Sequence, residues 1–151
     1  MKNCVVSSLL ILLAASTIVG CAGMGKGAKP EELVMKQTQA FAADFLAVNV
    51  DKIPGYISEK FTSERVPDKA ALVKTLDEAK AAGRTERFAQ MIKDDHGKVD
   101  LQQAKVALKG DAATVYPIGL SSDRGSLTVE LTYKKDPDKV WRVTGIKIEG
   151  M

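Results

Sequence analysis

Few residues in this sequence could carry covalent or metal chemistry. Its 151 residues include one histidine and two cysteines. His96 stands in Asp94-Asp95-His96-Gly97, where a pair of carboxylates precedes an imidazole, all metal-ligand types. Adjacent residues of one turn rarely converge on a single ion, and no second cluster supports them. A solvated turn is the expectation, with no metal and no cofactor. A lone histidine also makes a His-Asp-nucleophile triad hard to assemble. Ser121-Ser122-Asp123-Arg124-Gly125 matches no phosphate loop and reads as a hairpin turn. Lys60, Arg65, Lys69 and Lys74 could face anionic headgroups, but Glu59, Glu64 and Asp68 interleave with them. A mixed, solvated surface is expected there. Tyr56, Tyr116 and Tyr133 supply phenols, and Trp141 reads either as core or as the wall of a pocket.

Cys21 is the residue with the sharpest assignment. The chain opens Met1-Lys2-Asn3, and Val5 to Ala15 is apolar apart from Ser7 and Ser8. A charged start, a short apolar stretch and a small-residue exit describe a secretory signal. The apolar run is shorter than the roughly 20 residues that a membrane-spanning helix needs. Its exit, Ile18-Val19-Gly20-Cys21, resembles the lipobox of bacterial lipoproteins. That resemblance implies cleavage before Cys21, a diacylglyceryl group on its thiol and acylation of the new amino terminus. Buried methylenes contribute about 0.8 kcal/mol each, so one chain binds marginally while two or three hold firmly. The bilayer is thus the first expected partner. Ala22 occupies a position where inner-membrane lipoproteins often carry Asp, so the resemblance implies the outer membrane, facing the periplasm, rather than the inner one.

Three segments follow: signal peptide 1–20, lipidated flexible tether 21–30, and one domain over 31–151. The tether, AGMGKGAKP after Cys21, would span about 15–18 Å as a coil. With Cys4 removed and Cys21 lipidated, no disulfide remains, and stability must come from the core. The chain carries 22 basic and 19 acidic side chains, a formal +3, with no run of like charge. Nothing there suggests a nucleic-acid partner.

Within 31–151, Val34, Thr38, Phe41, Phe45 and Val48 recur at three and four residues, predicting a helix over Glu31–Val48. Leu46 lies opposite that stripe. Tyr56–Phe61 reads as a short helical turn. Asp68 suits the N-cap of a second helix through Ala82, which Gly83 ends or kinks. Phe88, Met91 and Ile92 suggest another helical turn or two. After Gly97 the period becomes two. Val99–Lys109 reads as one strand with a bulge near Gln102-Gln103, followed by strands over Ala112–Leu120, Leu127–Tyr133 and Val140–Glu149. Gly145 marks a phase change in the last of these. The fold class expected is α+β, with helices covering one face of a four-stranded antiparallel meander.

The first helix ending in Asn49-Val50-Asp51, the segment Lys109-Gly110-Asp111-Ala112-Ala113-Thr114-Val115 and the segment Val140-Trp141-Arg142-Val143 are similar to the nuclear-transport-factor-2-like superfamily. This is also called the cystatin-like cone fold, and it includes domains of many bacterial lipoproteins. The resemblance implies a bent sheet wrapped against the first helix. It also implies divided functions: some members are ketosteroid isomerases or polyketide cyclases, while others bind ligands or partners. Asp44 sits about 60° around the helix from Phe41. In a cone-fold isomerase such a carboxylate can act as base or neutral donor, with a phenol and a second acid. No second acid takes an inward strand position, since Glu130 falls on a polar face. A carboxylate merely solvated or hydrogen-bonded at a helix rim is the plainer reading.

The expected function is therefore non-enzymatic binding of an envelope partner protein or a small apolar ligand. Asp44, Tyr56, Tyr116 and Trp141 are the pocket candidates. An isomerase or cyclase remains the alternative. A pure interaction module with an exposed apolar patch, sought first at Leu46, is a third reading. The resemblance also leaves room for a homodimer through the open sheet face.

Overall fold

The computed structural model describes residues 27–150. The signal segment, Cys21 and the tether before Gly27 lie outside them. Helix α1 spans Pro30–Leu46, with Pro30 in its first turn and Glu31 and Glu32 at its positive end. A four-residue helix α2, Ile53–Tyr56, leads into strand β1, Ile57–Thr62. Helices α3, Lys69–Ala81, and α4, Arg84–Asp94, follow. Asp68 caps α3 as expected, its carboxylate accepting the Ala71 amide at 2.8 Å. Gly83 takes φ 62° between the helices, a conformation that disfavours a side chain. The chain then forms β2 (Lys98–Asp100), β3 (Lys105–Lys109), β4 (Ala112–Ser122), β5 (Gly125–Lys135) and β6 (Trp141–Glu149).

The antiparallel run β3-β4-β5-β6 is the meander that the alternating sequence predicts. The sheet has six strands rather than four, in the order β1-β6-β5-β4-β2, with β3 also on β4. Two local readings change accordingly. Residues 57–62 are not a helical turn but a strand, paired in parallel with β6. Ile57 and Phe61 enter the core, and burial outweighs the local helical pattern. The predicted Val99–Lys109 strand is two short strands along the same side of β4. The chain breaks between them more deeply than a bulge. The Asp100 carboxylate accepts the Gln102 amide at 2.8 Å, and the Leu101 carbonyl accepts the Ala104 amide. The helical stretch around Phe88 is also longer than one or two turns.

Two register slips between antiparallel strands bend the sheet, beside an irregular register in the parallel β1–β6 pair. Between Val115 and Ile118, β4 advances three residues while β5 advances two, from Leu131 to Val129. Between Val143 and Gly145, β6 carries Thr144 as an extra residue against Tyr133 and Thr132. Bulges of this kind kink a strand and sharpen its twist. The second also swaps the inward phase of β6, from Trp141 and Val143 to Ile146 and Ile148. That is the change the sequence places at Gly145.

Helix α1 lies in the bend. Val34 and Thr38 are sealed against the sheet, while Phe41 is half-buried and Phe45 is 36 % exposed. Tyr133, at the centre of the sheet, is fully buried. Its hydroxyl meets Thr38 Oγ1 at 2.9 Å, and Thr38 Oγ1 is also 2.9 Å from the Val34 carbonyl. A carbonyl can only accept, so Thr38 spends its one proton on Val34 and accepts the Tyr133 proton. A Thr38→Val variant should lose about 1–3 kcal/mol, because the Tyr133 hydroxyl is left buried without a partner. Adding Tyr133→Phe should recover most of that loss. Urea unfolding of the three variants measures both changes.

Candidate ligand-binding cleft

Because the sheet bends away from the C-terminal half of α1, the layers part there. Two adjoining lobes open. The sheet lobe, about 200 Å³, lies between the Thr38–Phe45 face of α1 and strands β2, β4, β5 and β6. The helix lobe, about 550 Å³, lies between α1, α2, α3 and the start of α4. Phe41, Phe45 and Ile146 wall both. The helix lobe alone falls within the ~300–1,000 Å³ of typical ligand pockets.

The lining is almost wholly apolar. In the sheet lobe Thr38 is the one polar residue, and its hydroxyl is engaged as described. In the helix lobe the Thr75 hydroxyl donates to the Ala71 carbonyl at 2.8 Å, and the Thr85 hydroxyl to Glu86 at 3.0 Å. Arg84 is the only charged side chain on either wall. No residue of α3 or α4 is fully buried. Their apolar faces, including Leu72, Leu76 and Phe88, line the lobe rather than closing it. Phe45 and Phe88 meet edge-on at 6.2 Å across the rim.

The structure brings together one pair of the candidates read from the sequence. Tyr56 donates to Asp44 at 2.6 Å. The Asn49 amide donates to the same carboxylate at 2.6 Å and Lys52 at 3.1 Å. The hydrogen bonds from Tyr56 and Asn49, aided by Lys52, hold the Asp44 carboxyl down at about 2. The Tyr56 phenol is pushed up by the proton it donates. Asp44 is absent from the walls of both lobes. It ties the end of α1 to α2, with Phe41 packed on the Tyr56 ring at 5.5 Å. Tyr116 stands apart, 40 % exposed and bonded to Glu149 at 3.2 Å. Trp141 is core, 5 % exposed, and its indole Nε1 has no hydrogen-bond partner. Leu46 is half-buried; the exposed apolar residues include Phe45, Phe88 and Ile148 at the cleft.

His96 and its neighbours hold a corner together. Its ring Nδ1 lies 2.7 Å from Asp123, and Asp95 pairs with Arg124 at 2.7 Å. The turn after α4 is thereby clasped to the β4–β5 hairpin. Among the described residues no group of three metal-ligand side chains could hold an ion. Sequence reading missed a second cluster. Arg142 pairs with Asp136 at 3.2 Å and with Asp138 at 2.8 Å, and buried Ser58 donates to Asp136 at 2.9 Å. Its signal was the carboxylate-rich turn facing a basic strand position. It pins β1 to the β5–β6 turn and lies away from the cleft.

No family model matches the chain, and no curated protein matches it. Solved structures do. An NTF2-like protein with a cystatin-like fold from Novosphingobium aromaticivorans superposes with TM-score 0.53 at 14 % identity. The match covers 78 % of this chain and 79 % of that one. A ketosteroid isomerase-like protein from Erwinia carotovora atroseptica gives 0.53 at 8 % identity, covering 81 % and 96 %. Bd1075 of Bdellovibrio bacteriovorus gives 0.54 at 11 % identity over 78 % of this chain, which spans 39 % of that longer protein. The fold is thus the α+β architecture of cystatin-like, NTF2-like proteins.

The Asp44 cluster has a pH signature. Its carboxyl titrates near 2 in the folded chain against an ordinary 3.8, so its stabilising contribution is complete above about pH 4 and disappears as pH falls through 2. Melting temperatures measured from pH 5 to pH 2 should fall less steeply for Asp44→Asn than for the unaltered protein. Parallel curves would show that the cluster does not stabilise the fold.

Proposed function

We propose that this protein is a lipid-anchored binding protein of the bacterial cell envelope, held by acyl chains on Cys21 at the outer membrane facing the periplasm, and that its domain takes a small apolar ligand. The observation that carries the ligand half is the two-lobed cleft, whose walls offer apolar contact and almost no free hydrogen-bonding capacity. Enclosing such surface draws water out of contact with it, which favours an apolar guest by about 25 cal/mol per Å². Phe45, Phe88 and Ile148, three of the exposed large apolar side chains, line the same cleft. The isomerase or cyclase reading draws less support. Asp44 is firmly ionised by three donors and stands off the cleft walls, poorly placed to take a proton from a guest.

The anchoring half rests on the lipobox-like Ile18–Cys21. Growing the bacterium on labelled palmitate should label the protein, and Cys21→Ser should abolish that label. Retained labelling in the Ser variant would sink the assignment of Cys21.

For the ligand half, Ala42 faces the sheet lobe, so Ala42→Trp would fill it. Lipid extracts of the purified protein should contain an apolar compound that this variant loses several-fold, at unchanged circular dichroism. Equal recovery from both would mean that the cleft is not where the compound sits.

A further inference from the structure

The cleft also specifies which apolar molecule suits it. We infer that its ligand is a long-chain fatty carboxylate, with the acyl chain laid through both lobes and the headgroup at Arg84. This rests on the apolar-ligand reading above and names the ligand class of that site.

The shape argues for a flexible chain. The two lobes share Phe41, Phe45 and Ile146 as walls, so a guest that occupies both must bend past these three side chains. A single acyl chain can follow such a path, whereas a rigid ring system fits one lobe or the other. The polar inventory argues for one headgroup, placed at one end. The hydroxyl protons of Thr38, Thr75 and Thr85 are already committed within the chain. A guest with polar groups along its length would bury them without partners, at a cost of about 1–3 kcal/mol each. The sheet lobe therefore takes only hydrocarbon.

The charge argues for an anion. Arg84 is the first residue of α4, set by the left-handed turn at Gly83 onto the wall of the helix lobe. Among the described residues it makes no hydrogen bond or ion pair. That distinguishes it from Arg124 and Arg142, which are paired within the chain. A guanidinium presents a planar fork that matches a carboxylate with two parallel hydrogen bonds. The nearest competing anion in sequence is Glu86. Its carboxylate accepts from Thr85 and from its own backbone amide, which hold its pKa down. Glu86 lines a neighbouring groove with Asp51 and Lys80, not the lobes.

The test uses the full chain in lipid nanodiscs with two photoreactive probes of equal length, a diazirine fatty acid and the matching fatty alcohol. Cross-linked peptides are located by mass spectrometry, so label on the cleft walls is separated from label on the membrane-proximal tether. The proposal expects the acid to label the α1 segment 38–45 and the β5 segment 127–133, with unlabelled palmitate competing. It expects Arg84→Gln to weaken the acid by about fivefold, the upper range for an exposed ion pair, and to leave the alcohol unchanged. Acid and alcohol labelling the cleft equally, with no effect of Arg84→Gln, would overturn the carboxylate assignment and leave the apolar-ligand reading intact. Label confined to the tether for both probes would overturn both.

Discussion

A phenol sealed at the centre of a sheet dictates much of this molecule. Tyr133 has no access to water, and burial pushes its hydroxyl up to about 12. A buried hydroxyl without a partner is costly, and the partner here is Thr38 on α1. The contact selects which face of the helix meets the sheet and how far along it lies. Everything one turn further on is then determined. Phe41 and Phe45 stand three and seven residues beyond Thr38, past the point where the sheet curves away, so they wall a cleft instead of filling a core.

The two bulges have the complementary role. A flat sheet would meet α1 along its whole length and leave no space. The slips at Val115–Ile118 and at Thr144 curve the strands. The helices α3 and α4 close the remaining side only loosely, with none of their residues fully buried. Side chains that would otherwise be core become lining.

How much of this the sequence discloses depends on the range of the interaction. Strict alternation in Leu127–Tyr133, the capping aspartate Asp68 and the phase change at Gly145 are local signals, and each has its counterpart in the structure. Residues 56–61 are ambiguous because a six-residue apolar-polar mixture suits either a turn of helix or a parallel strand, and only contact with β6 decides. The break at Leu101–Ala104 is visible as a phase slip, but its depth depends on β4 accepting both halves. Asp44 lies correctly at the rim of its helix face. Its turn toward Tyr56, Asn49 and Lys52 depends on the loop after α1 and has no signature in spacing. Trp141 reads equally as wall or core until the inward phase of β6 is known, and Tyr116 simply follows the outward phase of Thr114 along β4. The cleft itself has no motif, since its walls come from nine elements and most contribute ordinary apolar residues.

The extra residue in β6 divides labour along a single strand. Before Thr144 the inward residues Trp141 and Val143 belong to the sealed core; after it, Ile146 and Ile148 belong to the cleft. The two halves answer to different demands. Substitutions at Ile148, 40 % exposed, can reshape the cleft with little penalty to folding, whereas the same changes at Val143 would strike the scaffold. A chain built this way can drift toward new ligands while its architecture stays constant. This offers a physical route by which one cone could serve many unrelated tasks.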